Sequence, residues 1–468
     1  MRRIDDCRER AGASDQQNSD DEAVDRISGL PDSLLLHILS FLPIRYAVRT
    51  SLILRPFRGL WRSLGSLSFE ECDFHSCYRC RPEVGCHGRH GFSNFVDHVL
   101  ALHESCQIDR FRIELDFHDS GSINSESEGY NSEVANRLDK WIFFALKKKV
   151  KVLDIALVGC GEALKASPAS HYRMTGALFN NRLVELCLDV CNLESLGQIQ
   201  LESLRKLSLW DVNLSDEVMC NLILGSPSLK KVSLEDCHGL QVLKIDSHPS
   251  LEELNVCICH GLKEIELARS GIKILAIVIN YSLMKIACLN VVTLELDGST
   301  KGMNISCGSS VIDMALYIRS GFKGVFQEYP EVKTLLEKVQ NATYFTLCNW
   351  SVLGKKWEKA CKFDGRRYWN SIEGTFYCLK HHLKNVMIYA CVTEPYVIEL
   401  IEFLLGNALI LEKMVISTKR NTGVTRNGES HYFDVALEED FDSEMLVEFS
   451  KKVFSFPRIS PSAVVHFD

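Results

Sequence analysis

Through the middle of the chain, apolar residues recur in a six-residue unit at its first, fourth and sixth positions. The unit reads LVELCL from Leu183, LRKLSL from Leu204, LKKVSL from Leu229, LEELNV from Leu251, IKILAI from Ile272 and VVTLEL from Val291, at intervals of 19–25 residues. The second half of each unit mostly alternates apolar and polar residues, the pattern of a strand with one buried face. A fixed period of this length marks a solenoid, in which each coil covers the apolar edge of the next and none is stable alone. Leu240-x-x-Leu243-x-Ile245, Leu262-x-x-Ile265-x-Leu267 and Leu283-x-x-Ile286 repeat the unit half a period later, so these coils are expected to carry two strands. Three places after a unit stand Cys191, Cys237, Cys259 or Asn280, whose side chains can bond turn backbone inside the coil.

The flanks follow other rules. Residues 1–24 are polar, Asp-rich and aperiodic, and are expected to form a disordered arm. LPDSLLLHILSFLP, from Leu30 to Pro43, predicts a helix that opens at Pro31, carries Asp32 and Ser33 in its first turn and stops at Pro43. Its apolar residues surround the axis, so it needs cover on more than one side. IRYAVRTSLIL has helical spacing from Ile44 to Leu52, and a third short helix is expected to put Phe57, Leu60, Trp61 and Leu64 on one face. Three such helices bury too little to stand alone, so residues 25–65 need a partner or the following domain.

Here the chain resembles a known family. DRISGLPDSLLLHILSFLPIRYAVRTSLILRPFRGLW is similar to the F-box of plant F-box proteins, through Leu30-Pro31, Ile38-Leu39-Ser40-Phe41-Leu42, Ala47-Val48-Arg49-Thr50-Ser51 and Leu60-Trp61. The resemblance implies docking onto the Skp-type adaptor of a Skp–cullin–F-box ubiquitin ligase. The implied contacts are Leu30, Pro31, Leu34, Leu35, Ile38, Leu39, Leu42, Val48 and Leu52. Arg55-Pro56-Phe57 departs from the family, which usually has Lys/Arg-Arg-Trp there. The alternative is therefore a repeat-based scaffold whose F-box no longer binds the adaptor. The repeat units are similar to leucine-rich repeats and are assigned to residues 99–330. In the C-terminal repeats, residues 331–457, a helix and strand are expected at 331–350, and Leu379–Ile416 resembles the FBD region of the same plant family. That likeness rests on a strand over Lys384–Ala390, a helix over Pro395–Leu405 and a strand from Leu411, inside a region of about 371–416. Residues 458–468 are read as a frayed tail. The fold class implied is α/β: a short helical F-box, a leucine-rich-repeat solenoid of parallel strands with partly two-stranded coils, and an α/β C-terminal cap.

The segment before the repeats carries its own patterns. The connector at 66–98 holds CDFHSCYRCRPEVGCHGRH, in which Cys77-x-x-Cys80 has the spacing of half a zinc site that Cys86 or His87 could complete. The competing reading is a Cys-rich insertion with no metal. A helix is expected over Phe95–Ser105, then a strand in DRFRIELDF. The acidic, Ser-rich HDSGSINSESEGYNSE reads as a mobile surface loop, and WIFFALKKKVKVLDIAL as a short helix and a strand.

Composition narrows the function. A formal charge of −8 argues against general nucleic-acid binding. The longest unbroken apolar run, Ile274–Ile279, is too short to span a bilayer. Nineteen cysteines and a polar N-terminus fit reduced thiols in the nucleus and/or cytoplasm. The repeat phase points Glu185, Asp189, Lys206, Trp210, Glu235, Glu253, Glu295 and Asp297 outward as candidate target contacts, with Cys187, Ser208, Lys231, Ser233, Asn255 and Thr293 beside them. Carboxylates outnumber lysines there, which favours a basic or amide-rich target. No phosphate loop, metalloprotease motif, nucleophile elbow or kinase set occurs, and no cofactor is implied. The expected role is a non-catalytic receptor, with the adaptor at the F-box and an unknown target protein on the repeat surface.

Overall fold

The computed structural model describes residues 27, 29–74, 89–116, 125–158, 171–174, 176–279, 284–298, 304–307, 309–320, 332–351, 369, 376–390, 395–417 and 443–468. Its spine is one sheet of 14 parallel strands. They run in chain order: Ser66–Glu70, Arg110–Asp116, Val152–Val158, Glu185–Asp189, Lys206–Trp210, Lys231–Glu235, Glu253–Cys257, Ile274–Ile279, Thr293–Gly298, Asp313–Ser320, Tyr344–Ser351, Asn385–Ala390, Lys413–Ser417 and Val464–Phe467. The six units read from the sequence are strands four to nine of this order.

Register turns alternation into a ladder. Leu188, Leu209, Leu234, Val256, Ile277 and Leu296 stand side by side on successive strands. None is more than 2 % exposed. The half-period repeats form a second parallel sheet, Val242–Asp246, Glu264–Ala268, Lys285–Cys288 and Asn304–Cys307. Its own ladder of Leu243, Ile265, Ile286 and Ile305 joins the same core. The coil before it closes with a helix, Asp216–Leu224, where the Ser215 hydroxyl accepts the Val218 N–H at 3.3 Å. The Asp216 carboxylate then accepts from the N–H groups of Gln241 and Val242, at 2.8 and 3.2 Å, and so anchors the first strand of the second sheet.

The turn after the main-sheet strand is strained in the same way in coil after coil. Val190, Asp211, Asp236 and Ile258 all have φ between 47 and 52°, a region that disfavours side chains, β-branched ones above all. The conformation aims each N–H at the next coil, where Trp210, Glu235, Cys257 and Val278 carbonyls accept at 2.9–3.0 Å. The cysteine that follows three of these positions bonds turn backbone as expected. Cys191 donates to the Asp189 carbonyl at 3.1 Å, Cys237 to that of Glu235 at 3.5 Å and Cys259 to that of Cys257 at 3.6 Å. Asn280 lies outside the described residues.

Several expectations need correction. The sheet starts at Ser66–Glu70, inside the span read as a connector, because SLSFE alternates without the repeat unit. The helix before Val152–Val158 is Ser125–Lys147, so it reaches back into the expected loop; its first turns offer no apolar periodicity to read. The third F-box helix is replaced by two 3-10 turns, Arg55–Phe57 and Leu60–Ser63. Pro56 removes an N–H and Gly59 turns left-handed at φ 77°, so an α-helix cannot run through. The tail is not frayed. Val464–Phe467 is the last strand of the sheet, Val464 donating to the Glu412 carbonyl at 3.0 Å, and the helix Ser443–Phe454 packs before it through Phe449 and Val453. The arm at 1–24 lies outside the described residues.

One glycine tests how tightly coils stack. A Cβ on Gly271 would meet the Pro249 carbonyl oxygen at 2.0 Å and that of Leu251 at 3.1 Å, whereas one on Gly406 meets nothing within 4 Å. Gly271→Ala is expected to cost about 1–3 kcal/mol by overpacking, and Gly406→Ala to raise stability slightly as a helix substitution. Urea midpoints of the two variants check this, and equal midpoints refute it.

Candidate functional site

Two surfaces hold the candidate contact residues. The first is formed by the helices Asp32–Leu39 and Ile44–Ile53. Their inner side packs on the start of the solenoid. Leu35, Leu39, Ile44, Ala47, Phe57, Trp61 and Leu64 are at most 7 % exposed and belong to the main core. The Arg45 guanidinium lies 4.2 Å from the centre of the Phe74 ring, and the Glu104 N–H donates to the Arg62 carbonyl at 2.9 Å. A His103 ring nitrogen sits 2.9 Å from the Leu64 carbonyl, and burial lowers the pKa of that imidazole.

The outer side is apolar too. Leu34, Ile38 and Phe41 follow helical spacing on one stripe and are 48, 43 and 74 % exposed. Leu42, Tyr46, Leu52, Ile53 and Leu54 are also exposed, and this is the densest group of exposed apolar side chains among the described residues. Pro31 is exposed beside it. Patches of this kind on folded chains mark contact sites. Of the expected adaptor contacts, Pro31, Leu34, Ile38, Leu42 and Leu52 face outward. Leu30 and Val48 are half-buried against the chain's own core. Leu35 and Leu39 point inward and are unavailable to a second protein. Phe41, Tyr46, Ile53 and Leu54 were missed, although Phe41 continues the Leu34, Ile38 stripe. At the departure from the family pattern, Phe57 is 4 % exposed and fills the core.

The second surface is the open face of the main sheet. Register sets Glu185, Lys206, Lys231 and Glu253 in one row and Asp189, Trp210 and Glu235 in another. Glu185, Lys206, Trp210, Glu235, Glu253 and Glu295 are half-buried. Asp189 and Asp297 belong to this face by alternation but are buried, at 6 and 2 % exposure. Burial pushes the Asp189 carboxyl up to about 8, with Asp211 adding to the effect, so it is mostly protonated at neutral pH. Glu253 is paired with Lys231 at 2.8 Å.

The acidic excess read from the repeats is also offset by residues the reading left out. Arg110 and Arg112 stand on the same face, two strands before Glu185. Arg112 reaches Asp154 at 2.5 Å and Glu114 at 2.7 Å. Burial opposes its charge, yet Asp154 and Glu114 more than compensate and hold its pKa above the ordinary value. The alternation in DRFRIELDF was the signal that could have placed both arginines. Farther along, Tyr317 and Cys348 pair in register and pack with Ala315 and Tyr389 into a small cluster separate from the main core. The face is thus charged and half-buried in its first half, whereas its second half buries Ala315, Tyr317 and Cys348 and leaves Tyr389 partly exposed.

Comparison with known proteins finds two domain families in the chain. Residues 113–316 match the family described as At1g61320/AtMIF1, LRR domain, and residues 373–416 match FBD. Relatives in Arabidopsis thaliana include a putative F-box/LRR-repeat protein, At3g18150, 29 % identical over 232 residues, 48 % of this chain and 40 % of the relative. The F-box/FBD/LRR-repeat protein At1g13570 is 30 % identical over 217 residues, 46 % of this chain and 44 % of the relative. A second F-box/FBD/LRR-repeat protein, At1g78750, is 26 % identical over 212 residues, 45 % of this chain and 42 % of the relative. The chain therefore carries a leucine-rich-repeat domain and an FBD region, and it is similar to plant F-box/leucine-rich-repeat proteins. The matched stretch spans less than half the length of these relatives.

The FBD region is a solenoid turn. The strands Asn385–Ala390 and Lys413–Ser417 flank the helix Pro395–Asn407 and extend the main sheet. Cys391-Val392-Thr393, between the first strand and that helix, lies outside the described residues, as do Cys77, Cys80, Cys86 and His87 of the zinc reading. Among the described residues no group of three or more His, Cys, Asp or Glu is placed to hold a metal ion. No helix among them is long and apolar enough to cross a membrane.

The buried Asp189 carries a pH signature. Its carboxyl titrates near 8 in the fold and near 3.8 when unfolded. Between those values the unfolded chain has released a proton that the fold retains, so Asp189 lowers stability as pH rises from about 4 to about 8. Asp189→Asn should therefore raise the melting temperature by several degrees at pH 8 and by little at pH 4. Wild-type and variant curves that stay parallel across this range would overturn the assignment.

Proposed function

We propose that this protein is the substrate-recognition subunit of a Skp–cullin–F-box ubiquitin ligase, acting in the nucleus or cytosol. The carrying observation is the two-sided F-box. Its inner leucines anchor the solenoid, while Leu34, Ile38, Phe41, Leu52 and Ile53 remain as an apolar patch beside Pro31. Covering such side chains is favourable by up to about 1.5–3 kcal/mol each, enough for a handful to hold an adaptor. The F-box in the relatives' names supports the same partner. The open face of the sheet would then receive the target protein, with charged contacts from Lys206 and Glu235 and aromatic contacts from the half-buried Trp210 and Tyr389.

The mechanism is positional. Tethering a target beside a ubiquitin-charged conjugating enzyme makes a bimolecular transfer effectively intramolecular. The chain contributes geometry and supplies no reacting group of its own.

Co-precipitation of the full chain with a plant Skp-type adaptor tests the reading. Leu34→Ala/Ile38→Ala is expected to weaken adaptor binding roughly tenfold to a hundredfold, from about 1.4 kcal/mol per tenfold, with the melting temperature nearly unchanged because both residues are exposed. Absence of binding by the native chain, regained with Phe57→Trp, would favour a scaffold whose F-box has lost its adaptor. On the target side, Trp210→Ala/Tyr389→Ala should leave adaptor binding intact. It should also reduce proximity labelling of those proteins whose labelling rises when the proteasome is blocked. Unchanged labelling would remove the sheet face from target recognition.

A further inference from the structure

Several thiols inside the solenoid are turned to backbone carbonyls, as at Cys191, Cys237, Cys259 and Cys378. Cys288 and Cys307 are turned to each other. They end two neighbouring strands of the second sheet, in register, 19 residues apart in the chain, with Sγ atoms 3.3 Å apart. We propose that Cys288 and Cys307 form an oxidative modification site, a dithiol that hydrogen peroxide or an organic hydroperoxide converts into a disulfide between successive coils. The inference is independent of the ligase reading.

The geometry asks for little movement. Adjacent strands lie about 4.7–4.9 Å apart, inside the roughly 4.4–6.8 Å Cα separation that a disulfide spans. The sulfurs must close by about 1.3 Å to reach the S–S bond length of about 2.05 Å. Cys307 is half-buried and gives an oxidant its entry, whereas Cys288 is fully buried behind it. Either thiol can donate to the other, so the first thiolate formed is stabilised by its neighbour's S–H. In that shared arrangement Cys288 is shifted down by the Cys307 hydrogen bond and Cys307 is shifted up. A thiolate is the species that attacks peroxide.

The chemistry balances in two steps. The thiolate sulfur attacks a peroxide oxygen and the O–O bond breaks. Water, or an alcohol from an organic hydroperoxide, leaves with a proton, and a sulfenic acid remains. The second thiol then attacks the sulfenic sulfur, the S–OH bond breaks and a second water leaves. The two sulfurs give up two electrons, which the peroxide accepts. The ring so closed contains the strand Thr293–Gly298, so oxidation ties down the coil that presents Glu295 on the open face.

The test uses the full reduced chain treated with hydrogen peroxide, then alkylated under denaturing conditions and mapped by peptide mass spectrometry. A Cys288–Cys307 linked peptide should appear, about 2 Da below the sum of its reduced parts. Dithiothreitol should remove it, and Cys307→Ser should lack it. The linkage should form at exposures no higher than those that oxidise the exposed Cys106 and Cys220. Separate alkylation of Cys288 and Cys307 at those exposures would overturn the proposal. So would sulfinic acid on Cys307 without the linked peptide. Both readouts come from the wild-type chain and do not depend on the variant folding.

Discussion

The structure depends on one ladder of apolar side chains, Leu188, Leu209, Leu234, Val256, Ile277 and Leu296, stacked strand against strand. Each rung is covered by its neighbours and by the layer behind it in the same coils, so no coil can be removed without exposing the next. The open ends of the stack must therefore be closed by something else. At the start, the inward faces of the F-box helices supply Leu35, Leu39 and Trp61 to the same core. At the finish, Val464–Phe467 and the helix before it add Val465, Phe449 and Val453. The F-box is thus structural on one side and free on the other, which is why its first helix is apolar nearly all round.

Backbone hydrogen bonding imposes a second order on the same stack. The left-handed conformations at Val190, Asp211, Asp236 and Ile258 cost on the order of 1–2 kcal/mol per residue. They are tolerated because each turns an N–H to the carbonyl of the next coil. Side chains near these turns stack as well. His238 lies 3.1 Å from Asp211 and His260 lies 3.1 Å from Asp236, with the two rings 5.5 Å apart and nearly parallel. The thiols follow the same repeat, and their placement in register brings Cys288 to Cys307.

The open face shows what register does to charge. Residues distant in sequence become neighbours in a row, so Lys231 neutralises Glu253 and the Arg112 guanidinium is shared by Asp154 and Glu114. Asp189 is carried to a position too dry to ionise readily. A count of charges along the chain overstates the acidity of the surface that a partner would meet.

The repeat period, the strand positions from Glu185 to Gly298, the two-stranded coils and the F-box pattern were all legible in the sequence. Each rests on local periodicity that apolar burial enforces within a few residues. The FBD region was legible for the same reason, as a helix between two strands. Other features were decided only by the folded chain. Which leucines of the first helix face inward depends on where the solenoid lies. That Ser66–Glu70 and Val464–Phe467 are strands depends on partners far away in sequence, because their own patterns are short. The burial of Asp189 and Asp297, the arginines on the open face and the meeting of Cys288 with Cys307 all follow from register between coils. Periodicity sets what each coil buries, but the alignment of one coil with the next sets which side chains meet.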